Sequence, residues 1–316
     1  ARQQAGEFSD LFDFCHRIDL KKANKRTLEA LIRAGAMDCL GEERASLMDQ
    51  LPEAVQASEQ ARQNRESGTF DLFGDVTEVQ RKPTTTRLLV WSDEVRLKGE
   101  KDTLGLYLTG HPIDVYQDEL KRLIPHRLNA VSNTRRGSTT VFAGLIMDIK
   151  NFGNRILIVL DDGTARLEVS TGQEKFNRYK DLLQIEQIIV IEGEVYERDG
   201  AERPTARLHK AFGMNEIRSK RANCIVLTPP TEYLHANFAQ QLQQLLQPFC
   251  QGDVRRIPIQ IALEHQYAQV QLELGQAWQV RPEDDLLRVL REFFGKAAIL
   301  VQYQLKARST PAAIAS

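Results

Sequence analysis

Cysteine and histidine are scarce in this sequence, at four and six among 316 residues. Cys15, Cys39, Cys224 and Cys250 form no CxxC pair and no Cys/His cluster at metal-ligand spacing. No zinc centre is expected, and the thiols read as idle groups of a reducing, cytoplasmic compartment. No apolar run approaches the roughly 20 residues of a membrane-spanning helix, so no membrane partner is expected. The opening Ala1-Arg2-Gln3-Gln4 lacks both an initiator Met and an apolar segment; it is not a secretory signal and reads as a cut inside a longer chain. No Walker loop and no GxGxxG occurs, and His111 has no nucleophile elbow near it. Net charge is nearly absent too: 42 Lys plus Arg against 43 Asp plus Glu give −1. That balance excludes a wholly basic coat protein for nucleic acid, while leaving room for local basic patches at residues 17–33 and 203–221.

What is present is an ordinary globular composition, 42% hydrophobic and 27% charged, on a chain long enough for two or three domains. Residues 8–63 follow a helical period. Leu11, Phe12, Cys15 and Ile18 form one apolar stripe. Asn24 is placed to cap a second helix with Leu28, Leu31 and Ile32 on its buried face, and Gly35 is its stop. Pro52 is expected in the first turn of a further helix, since an interior proline breaks one. Residues 64–87 lose the period and read as a polar linker with an apolar burst at Phe70, Leu72 and Phe73. Residues 88–135 resume as a helical connector.

From residue 136 to 216 the period shortens. Val141, Ala143, Leu145 and Met147 alternate as a half-buried strand does. Further strands are expected at 156–160, 166–170, 188–196 and 205–212, with a helix at 174–183 between the third and fourth. Three strands, a helix and two strands is the order of an OB-fold barrel. Residues 217–305 read as a small mixed α/β domain: a strand at 225–227, a helix at 239–246, a hairpin from 257 to 274, an amphipathic helix at 284–294 and a last strand from 298. Residues 306–316 form a tail. The fold class is therefore multidomain α+β: a helix-hairpin-helix region, an OB-fold β-barrel and a mixed C-terminal domain.

Three constellations carry functional readings. Lys21, Lys22, Lys25 and Arg26 lead into the Gly35 turn, where backbone amides and cations can hold duplex phosphates without reading sequence; the bland alternative is a solvated basic loop. Lys150, Arg155, Arg166, Arg203, Arg207 and Lys210 rim the barrel, with Phe152 and Tyr196 as stacking platforms for single strands or, alternatively, as core residues. The linker burst suits partner docking or packing back onto the helices. The adjacent Asp161 and Asp162 are weighed as a magnesium pair against a plain Asp-Asp-Gly turn, and strand neighbours point to opposite faces. No catalytic residue and no metal ligand is assigned.

Several segments resemble the C-terminal part of the bacterial DNA polymerase III alpha subunit family, the C-family replicative polymerases. They are Leu11-Phe12-Asp13-Phe14-Cys15, Asp19-Leu20-Lys21-Lys22, the stretch from Leu28 to Asp38, Gly153-Asn154-Arg155 with Leu160-Asp161-Asp162, and Trp278-Gln279-Val280. Most specific is Glu100-Lys101-Asp102-Thr103-Leu104-Gly105-Leu106-Tyr107-Leu108-Thr109-Gly110-His111-Pro112. The resemblance implies duplex and single-stranded DNA as partners. It also implies a sliding-clamp peptide at Thr69, Phe70, Asp71, Leu72 and Phe73, and a clamp-loader tau site in the C-terminal domain. Thr69 stands where the clamp motif has glutamine, which implies weaker clamp binding. The family's catalytic palm, with its aspartates and magnesium, is not among these residues. No cofactor is expected in this chain, and it should be inactive as a polymerase alone. A free-standing OB-fold accessory protein for single-stranded nucleic acid is the competing reading.

Overall fold

A computed structural model describes residues 6–66, 89–124, 126–131, 137, 139–196, 205–252, 254–265 and 268–303. The chain divides into two compact units, Ala1–Pro112 and Ile113–Ser316. The stretch read as one connector, 88–135, is thus shared between them. The apolar burst at 69–73, Arg203 and the tail from 306 lie outside the described residues.

The first unit is helical. Helix α1 (Leu11–Arg17) is capped by Asp10, whose side chain accepts from the Asp13 amide. Helix α2 (Lys25–Arg33) is capped by Asn24, whose Oδ1 accepts from the Thr27 amide at 3.0 Å. Both pack on α3 (Arg44–Glu66) through Leu11, Cys15, Leu28, Ile32, Leu47, Leu51 and Ala54, all buried. Pro52 lies inside α3, which continues to Glu66, so the expected break is corrected. Burial of Leu47, Leu51 and Ala54 on one side holds the helix together across the carbonyl that Pro52 cannot bond. Helix α4 (Asp93–Leu104), capped by Ser92, ends at Gly105 with φ +75°.

The second unit opens with α5 (Gln117–Leu123) and the single turn α6 (Leu128–Val131). Five strands follow, β1 (Thr139–Phe152), β2 (Arg155–Asp161), β3 (Arg166–Gly172), β4 (Ile188–Tyr196) and β5 (Thr205–Gly213), closed in the order β1-β2-β3-β5-β4. The closing pair β3–β5 is parallel and matches Ser170 with Arg207. Helix α7 (Gln173–Arg178) sits between β3 and β4, shorter than the expected 174–183, while Leu183 still reaches the barrel core. This is the OB-fold order.

Strand β1 alternates as its sequence suggests, but both of its faces are covered. Phe142 and Ile146 fill the barrel, whereas Ala143 and Val141 face outward against Ile113, Leu120, Leu123 and Ile217. Polarity therefore cannot reveal its inner side. A register shift between Ile146 and Asp148 then re-aims the strand at Met147.

Helix α8 (Met214–Arg221), which periodicity did not show, leads to β6 (Ala222–Leu227). After α9 (Phe238–Leu246) come β7 (Ile259–His265), β8 (Ala268–Glu273), the amphipathic α10 (Asp284–Phe294) and β9 (Ile299–Tyr303). The sheet order is β8-β7-β6-β9. Leu286, Leu287, Leu290 and Phe294 of α10 pack on Ile225, Leu227, Ile259, Ile261 and Val301.

Candidate nucleic-acid interface

In the helical unit, Lys21, Lys22, Lys25 and Arg26 are all exposed at the entry to α2. Among the described residues, Lys22 has a carboxylate beside it, Asp19 at 4.0 Å. Lys25 and Arg26 occupy a first turn with no acidic residue. Helix dipoles disfavour cations at that end by some tenths of a kcal/mol. The arrangement therefore costs stability unless an anion joins it, which is what a phosphate backbone supplies.

The Gly35 turn has a different role from the phosphate cradle expected of it. The amides of Ala34, Gly35 and Ala36 donate back to Ala30, Ile32 and Leu31 at 2.9–3.0 Å, ending α2. Gly35 is left-handed at φ +78°, and a Cβ there would collide with the Arg44 guanidinium. Glycine is thus required by the turn and by Arg44, and its N–H is already used.

That guanidinium is the hub of the unit. Arg44 grips Asp38 through Nε at 2.7 Å and Nη2 at 2.6 Å, and Nη1 reaches Glu100 Oε1 at 2.8 Å. Glu100, in the signature segment, is fully buried and also accepts from the Leu108 amide (2.7 Å), the Thr109 amide (3.0 Å) and the Thr109 hydroxyl (2.6 Å). Burial alone would raise its pKa. The Thr109 and Leu108 hydrogen bonds and Arg44 outweigh burial and bring it from 4.5 to about 2. Arg44 did not stand out in the sequence, and Glu100 did so only as part of the signature segment, because their pairing spans 56 positions.

On the barrel, strand register gathers four of the expected contacts. Phe152 pairs with Arg155, and Lys150 with Leu157. Leu157 pairs with Ser170, Ser170 with Arg207, and Arg207 with Glu194. Since Ile156, Ile158 and Leu160 point inward, this row lies on the outer face. Tyr196 ties the row together. Its hydroxyl accepts from Arg155 Nη2 at 3.1 Å and shares a hydrogen with Ser170 Oγ at 3.0 Å, while the Arg207 guanidinium stands 5.9 Å from its ring centroid. Phe152 projects at the β1–β2 turn, 64% exposed. Two guanidiniums, one ammonium and two aromatic rings share this face, with Glu194 3.7 Å from Arg207 and Asp148 3.5 Å from Lys150; such a face can hold phosphates while bases stack. Ser170 went unnoticed in the sequence, where nothing marks a serine that orients a tyrosine.

Arg166 does not join this group, and Lys210 meets Glu192 at 3.6 Å much as Arg207 meets Glu194 at 3.7 Å. Arg166 pairs with Asp161 at 2.8 Å, about 20 Å along β2 from Arg155 at strand rise. The two aspartates take the turn role. Asp161 accepts from the Gly163 amide, and the buried Asp162 accepts from the amides of Leu128, Thr164 and Ala165. Burial works to raise the Asp162 pKa, and these bonds with the Thr164 hydroxyl lower it. No group of three or more metal-ligating side chains occurs among the described residues, and no helix among them is long and apolar enough to cross a membrane.

The strand order is that of an OB-fold, and family models agree. A helix-hairpin-helix motif matches residues 1–47, an OB-fold nucleic acid binding domain matches 140–209, and the DNA polymerase III subunit alpha C-terminal domain matches 241–295. DNA polymerase III subunit alpha of Vibrio cholerae is 37% identical over 314 residues, and that of Pseudomonas aeruginosa 36% over 328. The Escherichia coli K12 protein is 35% identical over 313. Each alignment takes in 96% of this chain but only 26–27% of the relative, so the chain spans about a quarter of the length of these proteins. Over nearly its whole length the chain is thus similar to part of the DNA polymerase III alpha subunits, and residues 241–295 match the model of their C-terminal domain.

Proposed function

We propose that this chain is the DNA- and partner-holding portion of a replicative DNA-directed DNA polymerase. Lys21, Lys22, Lys25 and Arg26 grip duplex phosphates. The barrel face of Lys150, Phe152, Arg155, Tyr196 and Arg207 holds template single strand. The peptide at 69–73 docks on the sliding clamp, and the C-terminal domain docks on the clamp loader's tau subunit. Several weak contacts raise the effective concentration of the polymerase at the primer end, which is how tethering increases processivity. Polymerisation itself belongs to the longer protein.

The observation that carries this reading is the Tyr196 cluster, where register brings cations and rings together on one open barrel face. Its test is single-strand binding by fluorescence anisotropy. Arg155→Ala with Arg207→Ala should weaken affinity at least tenfold, and Tyr196→Ala by about 1–3 kcal/mol if a base stacks there. Unchanged affinity in these variants, with the barrel still folded by circular dichroism, would move the single strand to another surface.

A further inference from the structure

The two edges of the C-terminal sheet differ. On β9, helix α5 closes in: Arg122 Nη1 donates to the Val301 carbonyl at 3.4 Å, and the Tyr303 hydroxyl donates to Glu119. On β8, the only strand neighbour among the described residues is β7. The pairing is regular across six residues, from Gln260↔Glu273 to His265↔Ala268, with no bulge. Exposed edges are usually blunted with lysine, proline or a bulge. The β8 stretch Ala268-Gln269-Val270-Gln271-Leu272-Glu273 has none of them.

Its side chains fit the same picture. Leu272 pairs with Ile261, a core residue, and Val270 with Leu263, so both extend the apolar face on which α10 lies. They remain 48% and 45% exposed. The opposite face is polar: Gln271 Nε2 donates to Gln260 Oε1 at 2.7 Å, and Gln260 Nε2 to Glu273 Oε2 at 3.3 Å. An apolar ledge, a polar ledge carrying one carboxylate and an open backbone edge define what fits beside them.

We propose that β8 accepts an extended peptide of a partner protein as a fifth strand. The peptide presents apolar side chains at alternate positions over Val270 and Leu272 and a basic one beside Glu273. A second copy of this chain is the poorer occupant. An edge about 20 Å long and one strand deep offers on the order of 200 Å², against about 800 Å² per partner in stable dimers. A single added strand draws its affinity from main-chain hydrogen bonds and needs no such area. The inference goes beyond the DNA-holding role and stands independently of the tau assignment.

The test uses the full chain without DNA. The probe is a short synthetic peptide alternating valine and lysine, with a proline-interrupted peptide of matched charge as control. The alternating peptide should bind by anisotropy and slow amide exchange in residues 268–273. Val270→Lys with Leu272→Lys should weaken that binding at least tenfold, while single-strand affinity on the barrel stays unchanged. Equal binding of the interrupted peptide, protection outside β8, or indifference to the double substitution would each overturn the proposal. So would concentration-dependent dimerisation in sedimentation that the double variant abolishes, which would assign the edge to a second copy.

Discussion

Replacing Glu100 by glutamine should destabilise the helical unit by about 3 kcal/mol, and the figure follows from two directions. Oε2 accepts from two backbone amides, while Oε1 accepts from Arg44 and the Thr109 hydroxyl. Glutamine must turn its NH2 toward one of these sets, placing donor against donor in a fully buried site. The charge is lost too, leaving Arg44 with Asp38 alone; breaking such a buried pair costs about 3–5 kcal/mol, here at the low end because Asp38 remains. A carboxyl held near 2 rather than 4.5 gives about 3 kcal/mol by linkage. The molecule supplies its own reporters, since its two tryptophans fall one in each unit. Trp91 packs on the α1–α3 core and Trp278 on the C-terminal sheet. In a Trp278→Phe background, Trp91 fluorescence during urea unfolding reads the helical unit by itself. With an m-value of about 1–1.5 kcal/mol/M, Glu100→Gln should lower the midpoint by about 2–3 M at pH 7. Because the folded pKa is depressed, the carboxylate's contribution is complete above about 4.5 and fades as pH falls toward 2. The gap between parent and variant should close over that same window. A midpoint shift under about 0.5 M, or a gap independent of pH between 5 and 2, would refute the buried-hub reasoning.

Further outcomes test other parts of the molecule. Arg218, with no exposed surface, joins Glu119 at 2.5 and 3.0 Å, Asp284 at 2.7 Å and Asn215 at 2.9 Å. Arg218→Met should lower unfolding stability by about 3–5 kcal/mol as read by Trp278, and adding Glu119→Leu should recover part of it. Neutralising Lys21, Lys22, Lys25 and Arg26 together should reduce the salt slope of duplex binding by about 0.9 for each phosphate no longer neutralised, and an unaltered slope would place the grip elsewhere. Leu72→Ala with Phe73→Ala should abolish clamp binding in surface plasmon resonance, whereas unchanged affinity would refute docking by residues 69–73.

Local signals were legible wherever the physics was local. Asn24 caps α2 because its side chain reaches an amide three residues on, a relation visible in the sequence itself. Gly35 stops that helix because only glycine takes φ +78° there without strain. The Asp161-Asp162-Gly163 turn and the α10 stripe were readable for the same reason. Pro52 was misread where burial outweighed a local rule, since one helix face holds α3 past its proline; β1 was legible as a strand, but its cover on both sides hides which face is inner.

By itself the sequence determined the order of the strands and of most helices, the polymerase resemblance and the residue types available for phosphate and base contact. Which of those residues act together was decided only by tertiary structure. Barrel closure joins Arg155, Ser170, Tyr196 and Arg207 from four strands, and it leaves Arg166 with Asp161 at the far end of β2. Packing likewise brings Arg218 to Glu119 across 99 positions, where burial turns an ordinary surface pair into an obligatory one. Periodicity records only neighbours a few residues apart, whereas charge pairing and stacking depend on distance in space.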